Sequence, residues 1–266
     1  MVSMRSVLRS WCDSHEIPLL GIADAGRYNN PDYEHLVPLM YRPEAIIPGT
    51  RSVIVIGLPV HLPAIDSSPS ILYRESYRTV NTLLDQYTYR IANLLNGMGF
   101  PSVPIPRDGY GSIEVLLKKP VTFFSHRHAA YFAGLGTFGI NNMLLTPEFG
   151  PRVRFGSVFS SLEVEPDQVM ATDLCTRCME CQKHCPVGAV SSEDYPKGKT
   201  STMACAKYSA ALNKRYASPC GICIKVCPVG SDRSLYGRED TGVYREMTAD
   251  PVLWSAWEHI RSHGSL

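Results

Sequence analysis

The chain has 266 residues, of which 44% are apolar, and it carries 26 Lys and Arg against 25 Asp and Glu. This length suffices for one large domain or two ordinary ones, and the apolar content is enough for a real core. The formal net charge of +1 provides neither a global basic field for nucleic acid nor an acidic tail. The sequence shows no signal peptide, no paired arginines and no apolar run of bilayer-spanning length, so we expect a cytoplasmic protein that contacts no membrane.

The first 165 residues alternate between helical and strand-like patterns. Apolar spacing predicts an amphipathic helix over residues 3–16 and, most clearly, a helix over 80–98, which ends at a glycine stop signal. Short strands are predicted over residues 17–25, 51–59, 102–106 and 152–161. The β-branched run at 51–59 is typical of a strand covered on both faces. The segments 26–50 and 63–70 are rich in turn residues and are predicted to be irregular.

A glycine-rich turn follows a helical segment that begins at Ser125. Gly134, Gly136 and Gly139 form a G-x-G-x-x-G pattern, but it follows a helix rather than a strand, so a dinucleotide-binding site is out of context. We interpret these glycines as positions where the backbone approaches a large ligand or another element closely. Near the C-terminus, a short helix is predicted over 251–263, where it would cover the preceding cysteine-rich part or the seam between domains.

Eight of the nine cysteines lie between residues 175 and 227, in two related motifs. The first motif is C-x2-C-x2-C-x3-C-P and comprises Cys175, Cys178, Cys181 and Cys185. This is the spacing of bacterial two-cluster ferredoxins, in which the fourth cysteine binds the other cluster. The second motif is an altered repeat whose first ligand lies upstream, and it comprises Cys205, Cys220, Cys223 and Cys227.

By this rule the two motifs are interleaved between two 4Fe-4S clusters. One cluster would be bound by Cys175, Cys178, Cys181 and Cys227, and the other by Cys205, Cys220, Cys223 and Cys185. A tetrahedral zinc site needs only four thiolates and leaves no role for the C-x3-C-P ends. A disulfide framework needs an oxidising compartment, of which the sequence gives no sign. The ninth cysteine, Cys12, is predicted to be a small buried apolar residue.

Several short segments, taken together and in order, resemble the epoxyqueuosine reductases. They are Arg42-Pro43, Ile47-Pro48-Gly49, residues 52–59, Ala133-Gly-Leu-Gly136, Asn141 with residues 143–145, and residues 147–150. The resemblance covers roughly residues 15–230 and extends, more distantly, to the corrinoid reductive dehalogenases. It implies an α/β (α+β) fold, in which a nitroreductase-like mixed sheet with helices is followed by a bacterial-type two-4Fe-4S ferredoxin module.

The resemblance also implies domains and a second cofactor. Residues 1–165 would form a nitroreductase-like domain that binds a corrinoid or substrate, residues 166–240 the ferredoxin-like module, and residues 241–266 a C-terminal tail. A base-off cobalamin would lie against the glycine-rich turn. The cofactor-binding residues would be Gly134, Leu135, Gly136, Asn141 and Asn142. Electrons would pass from the outer cluster to the inner cluster and then to cobalt, as suits an anaerobic metabolism.

The chain departs from the reductase pattern at the proton donor. The position that is acidic in the reductases acting on transfer RNA falls near Pro120, where this chain has no carboxylate. Histidine is the first alternative near neutral pH. His126 and His128 are therefore candidates, although residues two apart do not share a helix face and either ring could be a surface or capping residue. Asp108, Tyr110 and Glu114 form a second candidate group, in a glycine-containing loop that could equally be an ordinary turn.

Three functions remain open at this point. The first is an iron-sulfur oxidoreductase that cleaves a carbon-heteroatom bond in a small substrate at a bound corrinoid. The second is an electron-transfer protein that reduces a separate corrinoid protein or enzyme. The third is an epoxyqueuosine reductase acting on transfer RNA, which the near-zero net charge disfavours. In each case the expected partner is a low-potential electron donor of the ferredoxin or flavodoxin type.

Overall fold

The structure is a computed structural model that describes residues 3–33, 35–109 and 111–263. Its helices are α1 (Met4–Ser14), α2 (Pro43–Ile46), α3 (Leu62–Asp66), α4 (Ile71–Gly97), α5 (Ile113–Lys118), α6 (His126–Phe132), α7 (Glu180–Lys183), α8 (Thr202–Asn213), α9 (Ile222–Lys225), α10 (Asp232–Leu235) and α11 (Pro251–Ser262). Its strands are β1 (Leu19–Asp24), β2 (Ser52–Pro59), β3 (Ser102–Ile105), β4 (Thr137–Phe138), β5 (Leu144–Leu145) and β6 (Val153–Ser160). Helices and strands are thus interspersed up to Ser160, and the described residues after it form only helices and loops.

A four-stranded sheet in the order β1-β2-β6-β3 forms the centre of the N-terminal part. On β2, Val53 and Val55 belong to one apolar cluster, which includes α6, whereas Ile54 and Ile56 belong to another, which includes α1 and α4. Successive side chains of a strand point to opposite faces, so β2 is covered on both. The α/β class is therefore confirmed. All the pairings in this sheet are antiparallel, in place of the mixed pairing that we expected.

The long helix α4 begins nine residues before the predicted start, and a short helix precedes it. Ser70 provides the N-cap, since its Oγ accepts a hydrogen bond from the backbone N of Tyr73 at 3.1 Å. The apolar spacing begins later because the first turns of α4 are mostly polar. The prediction of a loop over 63–70 was wrong for α3, in which the buried residues Leu62 and Ile65 anchor one helical turn.

The cysteine-rich part repeats one local structure. In both motifs a left-handed residue follows the first cysteine of a C-x2-C pair, namely Met179 with φ 63° and Gly221 with φ 74°. A helix of four residues follows each of them, α7 after Met179 and α9 after Gly221. The left-handed residue turns the chain sharply, so that two cysteines separated by two residues can face one point.

The C-terminal helix α11 spans the two parts of the chain. Trp257 is buried against Val226, which lies within the second cysteine motif, and against Tyr244, which follows it. On the same helix, the Arg261 guanidinium donates hydrogen bonds to the carbonyls of Ser67 at 3.0 Å and Asp66 at 3.3 Å in the N-terminal part. The predicted helix over 251–263 is confirmed. It covers the seam, by which we mean the contact between the N-terminal part and the cysteine-rich part of the chain. Among the described residues, no helix is both long and apolar enough to cross a bilayer.

The seam is closed by direct backbone contact at Gly150. This residue has φ +53°, and a Cβ atom built on it would lie 1.9 Å from the carbonyl oxygen of Val229. Only glycine fits there, because any side chain would both adopt a left-handed conformation and collide with the opposing backbone.

We expect Gly150→Ala to destabilise the folded protein by about 1–3 kcal/mol more than Gly49→Ala, the extra cost being that of overpacking. Gly49 is the matched control because its φ is +86° and an added Cβ meets nothing within 4 Å. Denaturant unfolding of both variants under anaerobic conditions measures the difference. Equal destabilisation of the two variants would show that the backbone contact between Gly150 and Val229 can separate without loss of folding free energy.

Candidate functional site

Four cysteines from both motifs line one partly enclosed cavity. They are Cys175, Cys178, Cys181 and Cys227, together with Gly139, Ile140 and Asn141 of the glycine-rich turn. Burial and, to a smaller extent, the charges of Cys227, Cys178 and Cys175 raise the pKa of the Cys181 thiol to about 12. Thiols that oppose each other's ionisation in this way need a cationic centre to ionise together, so this donor set fits a metal cluster.

The other four cysteines form a second set. Burial raises the pKa of Cys223 well above its usual value, and the charges of Cys220, Cys205 and Cys185 add to the rise. The Sγ of Cys185 accepts a hydrogen bond from the backbone N of Ala189 at 3.2 Å. Among the described residues, no three Cys, His, Asp or Glu side chains are arranged to hold a single metal ion. The two sets have the composition that the motif spacing predicts; that each binds a cluster stays a prediction.

Two buried arginines converge on the peptide carbonyl of Cys227. Arg152 donates to this oxygen from Nη1 at 3.3 Å and Arg233 from Nε at 2.9 Å. Arg152 also forms a two-point ion pair with Asp232, with distances of 2.9 Å and 2.5 Å. Burial raises the pKa of the Cys227 thiol to about 11, and both guanidinium groups oppose that rise. They therefore favour a negatively charged sulfur at this position, as a cluster ligand requires.

Beside the second set, we infer a recess between the two parts of the chain that is lined by Arg127 of α6. The residue is exposed to solvent, yet desolvation lowers the pKa of its guanidinium, and the charge of Arg154 lowers it further. That combination is expected of a side chain in a recess rather than on an outer surface. The charges of Tyr195, Tyr77 and Cys223 act on Arg127 in the opposite sense. The exposed residue Cys205 also feels the charge of Arg127. The recess thus joins the N-terminal sheet to the second cysteine set.

The wall of the recess on the sheet side is built around Arg154 of β6. Its Nε donates to Asn81 Oδ1 at 3.0 Å, its Nη2 lies 3.5 Å from Asp108 Oδ1, and its guanidinium stacks over the Tyr77 ring at 4.5 Å. Asp108 is also 3.4 Å from Arg107 Nε. The predicted candidate Asp108 is therefore an ion-pair partner that holds Arg154 in place. Tyr110, in the same loop, lies outside the described residues.

The two predicted histidines flank Arg127 and are both engaged. His126 Nδ1 lies 2.8 Å from Ser157 Oγ and Nε2 lies 3.0 Å from the carbonyl of Pro106. His128 Nδ1 lies 2.7 Å from Ser125 Oγ, and Nε2 lies 2.7 Å from the hydroxyl of Tyr195. Burial lowers the pKa of His126 to about 4 and that of His128 to about 3. Both rings are accordingly neutral at pH 7, and a catalytic role for either stays a prediction.

The depressed histidine pKa values predict a loss of stability in mild acid. An unfolded histidine binds a proton below about pH 6.5, whereas folded His126 stays neutral until about pH 4. Between these values the unfolded chain binds more protons, so the free energy of unfolding falls as the pH is lowered, by up to about 1.4 kcal/mol per pH unit for one group. We expect His126→Gln to flatten this slope in unfolding curves measured between pH 5 and 6.5. An unchanged slope would contradict the assignment.

Comparison with known proteins places the first cysteine motif in a recognised context. A family model described as a 4Fe-4S binding domain matches residues 170–191. A tetrachloroethene reductive dehalogenase of Desulfitobacterium hafniense is 28% identical over 193 residues, covering 66% of this chain and 32% of that protein. An epoxyqueuosine reductase of Listeria monocytogenes is 34% identical over 132 residues, covering 46% of this chain and 32% of that protein. The chain's homologues are reductive dehalogenases and epoxyqueuosine reductases.

The homologues agree with the fold as well. A solved reductive dehalogenase, for which a mechanism of B12-dependent dehalogenation was suggested, superimposes with a TM-score of 0.65 at 19% identity. The superposition covers 87% of this chain and 33% of that one. This chain spans about a third of the length of the curated relatives cited above. The 4Fe-4S binding match and these homologues together identify the chain as an iron-sulfur protein related to these reductases.

In this relative of the dehalogenases, the glycine-rich turn makes extensive contacts with protein. A Cβ atom added to Gly134 would lie 2.2 Å from the carbonyl of Gln168, and one added to Gly136 would lie 1.9 Å from that of Leu145. Asn141 Nδ2 donates to the carbonyl of Cys223 at 3.2 Å, and Asn142 Nδ2 donates to that of Gly198 at 3.1 Å. Close approach to another element, one of the two interpretations of these glycines, is therefore confirmed.

Leu135 packs against the apolar cluster on the α6 face of the sheet. Contact of Leu135, the two glycines or the two asparagines with a corrinoid stays a prediction. The turn is nevertheless next to the recess, because Arg127 Nη1 donates to the carbonyl of Asn142. Sequence reasoning did not single out Arg127, Arg154 or Tyr195. Of these three residues, Arg127 is the one that the sequence could have indicated, because it lies between the two candidate histidines.

Proposed function

We propose that the chain is an iron-sulfur reductase in which two 4Fe-4S clusters deliver electrons to a corrinoid held in the recess. The reaction would be the reductive cleavage of a carbon-heteroatom bond in a small substrate. The observation that carries this proposal is the position of the second cysteine set. Cys205, which is exposed, and the partly buried Cys223 share their surroundings with Arg127 and Tyr195, so a cluster there would border directly on the recess.

The arrangement of the two cysteine sets gives the electron path a direction. Cys178 of the first set and Cys205 of the second are both exposed, and the second set is the one that borders the recess. The charge of Cys181 in the first set acts on Cys223 in the second, so the sets are close neighbours. The first cluster would be the outer one and the second the inner one. The order agrees with the path that the resemblance implies.

The residues of the recess suit a large, polar cofactor and a reducible substrate. A bound corrinoid would supply a strongly reducing cobalt centre at which the bond to the heteroatom is broken. Reductive cleavage consumes two electrons and one proton, releases the heteroatom with its electron pair and leaves hydrogen on carbon. Arg127, Arg154 and Asp108 offer charged and hydrogen-bonding groups for the corrinoid side chains or for the substrate. We propose that these groups contact the corrinoid or the substrate.

Tyr195 is the residue best suited to hold the proton. Its half-buried hydroxyl keeps its proton at neutral pH, because burial raises its pKa, although the charge of Arg127 opposes the rise. The neutral His128 ring orients that hydroxyl, and the Phe138 ring stacks on the tyrosine with centroids 4.4 Å apart. Since no carboxylate stands near Pro120, a hydroxyl that is still protonated at pH 7 is the natural substitute.

Reconstitution under anaerobic conditions tests the proposal. Protein supplied with iron, sulfide and cobalamin should contain about eight irons per chain and should retain about one corrinoid through gel filtration. Arg127→Met should weaken corrinoid retention while leaving the iron content unchanged. Protein that holds both clusters and never retains a corrinoid would exclude a bound corrinoid.

A second candidate function is electron transfer to a separate corrinoid protein or enzyme. It is favoured by the close packing of the glycine-rich turn against protein. Mixing the reduced protein with corrinoid proteins, in the absence of any bound corrinoid, would then produce the absorbance of reduced cobalt. Action on transfer RNA is a third candidate, supported by the epoxyqueuosine reductase among the relatives. Restoration of queuosine in a reductase-deficient strain would establish it.

A further inference from the structure

Ser68 carries a buried hydroxyl that has no partner within the described residues. The residue lies between α3 and α4, is fully buried, and its Oγ forms no hydrogen bond there. Its neighbour Ser67 is equally buried but fully engaged, because its Oγ donates to the carbonyl of Ala64 at 2.8 Å and lies 2.6 Å from Ser70 Oγ. Buried polar groups are nearly always paired, so an orphaned hydroxyl indicates an absent partner.

The orphaned hydroxyl lies against the loop that carries the second cysteine set. A Cβ atom built on Gly221, between Cys220 and Cys223, would be 3.0 Å from Ser68 Oγ. The contact is held from the other side by Lys225 of α9, whose Nζ donates to the carbonyl of Ser68 at 2.8 Å. The absence of a side chain at Gly221 therefore leaves room for the hydroxyl beside the loop that carries Cys220 and Cys223.

We propose that Ser68 Oγ donates a hydrogen bond to a sulfur atom of the second 4Fe-4S cluster and thereby raises its reduction potential. The inference rests on the proposed function, in that the second set must hold a cluster. A cluster gains negative charge on reduction, and a donor to its sulfur atoms stabilises the reduced state more than the oxidised one. Ser68 belongs to the N-terminal part, so docking of the two parts would set the potential of the inner cluster.

A matched pair of serine variants separates this role from a structural one. Ser68→Ala removes a hydroxyl with no protein partner, whereas Ser67→Ala removes one that has two. Both are buried side chains of the same size in one turn. We expect Ser68→Ala to lower the midpoint potential of the second cluster by the equivalent of about a tenfold change in the ratio of reduced to oxidised protein, which is about 59 mV for one electron. Ser67→Ala should leave that potential unchanged.

The potentials are measured on fully loaded protein by redox titration followed with electron paramagnetic resonance. The signal of each cluster is assigned from Cys205→Ala and Cys175→Ala, which each remove one of them. Electron-nuclear double resonance in D2O supplies an independent readout, since Ser68→Ala should remove one exchangeable proton coupled to the second cluster. A hydroxyl that binds only a buried water predicts an unchanged potential and an unchanged proton coupling.

The wild-type protein distinguishes failure of this inference from failure of the function on which it rests. Absence of the second cluster from reconstituted wild-type protein overturns both. Two assembled clusters, with equal potentials in the wild type and Ser68→Ala, overturn the role of Ser68 alone. A similar shift in Ser67→Ala also overturns it, because the effect would then follow from packing of the turn rather than from the hydrogen bond.

Discussion

Cys185→Ala is expected to remove the same cluster as Cys205→Ala, although Cys185 belongs to the first motif. Its charge acts on Cys205, Cys220 and Cys223, whereas the thiol that completes the first cavity is Cys227. The last cysteine of each motif therefore lies in the set to which the other motif contributes three cysteines. Loss of one ligand from a four-cysteine cluster should reduce the iron content from about eight to about four per chain.

The reciprocal variants provide the control for the crossing. Cys227→Ala should match Cys175→Ala in its remaining electron paramagnetic resonance signal, and Cys185→Ala should match Cys205→Ala. Iron analysis and spectra of the four reconstituted variants decide the pairing. If Cys185→Ala instead matched Cys175→Ala, each motif would bind its own cluster, and the electron path through the seam would have to be redrawn.

Arg152→Gln is expected to cost about 3–5 kcal/mol of folding free energy, as in other proteins where one partner of a buried ion pair is removed. Its guanidinium is fully buried, and Asp232 is 11% exposed, so the aspartate would be left with an almost buried, unpaired charge. The carbonyls of Cys227 and Val229 would each lose a donor as well. These contacts join Arg152, which immediately precedes β6, to the end of the second motif and the residues after it, so the seam should open first.

Anaerobic denaturant unfolding, followed by circular dichroism and by cluster absorbance, measures this cost. Arg78→Gln is the control, because the ion pair of Arg78 with Glu75 is exposed and such pairs contribute only about 0–1 kcal/mol. The double variant Arg152→Gln with Asp232→Asn should regain part of the loss, since no buried charge is then left unpaired. A loss in Arg152→Gln no larger than that in Arg78→Gln would mean that the seam depends little on this pair.

The arginines at Cys227 connect stability with redox chemistry. Arg233 forms no ion pair within the described residues, and its guanidinium donates to backbone carbonyls and to Tyr244, which in turn donates to Asp66 Oδ1 at 2.5 Å. The positive charge of Arg233 is therefore balanced by Asp66 only through the Tyr244 hydroxyl. A buried cation beside a cluster ligand stabilises the more negative, reduced state of the cluster. If the predicted cluster is bound at Cys227, the seam would provide both cohesion and a field that favours electron uptake.

Local pattern was sufficient for the elements whose signal is contained in a few consecutive residues. The β-branched run of β2 predicted a strand covered on both faces because burial on two sides requires apolar side chains at every position. Regular apolar steps predicted most of α4, but they missed its first turns, where Ser70 caps a mostly polar stretch. Pro63 and the serines near it suggested a loop, and two buried side chains produced the helix α3 instead.

Cysteine spacing alone determined which sulfur atoms form each set, because a fixed number of intervening residues limits where a thiol can reach. The tertiary structure alone decided what surrounds those sets. His128 and Tyr195 are separated by 67 residues, and Arg152 and Cys227 by 75. No periodicity links such residues, since their contacts arise only when the sheet and the cysteine-rich part pack together. The recess, the buried arginines and the orphaned hydroxyl of Ser68 are therefore properties of the packed seam rather than of any stretch of sequence.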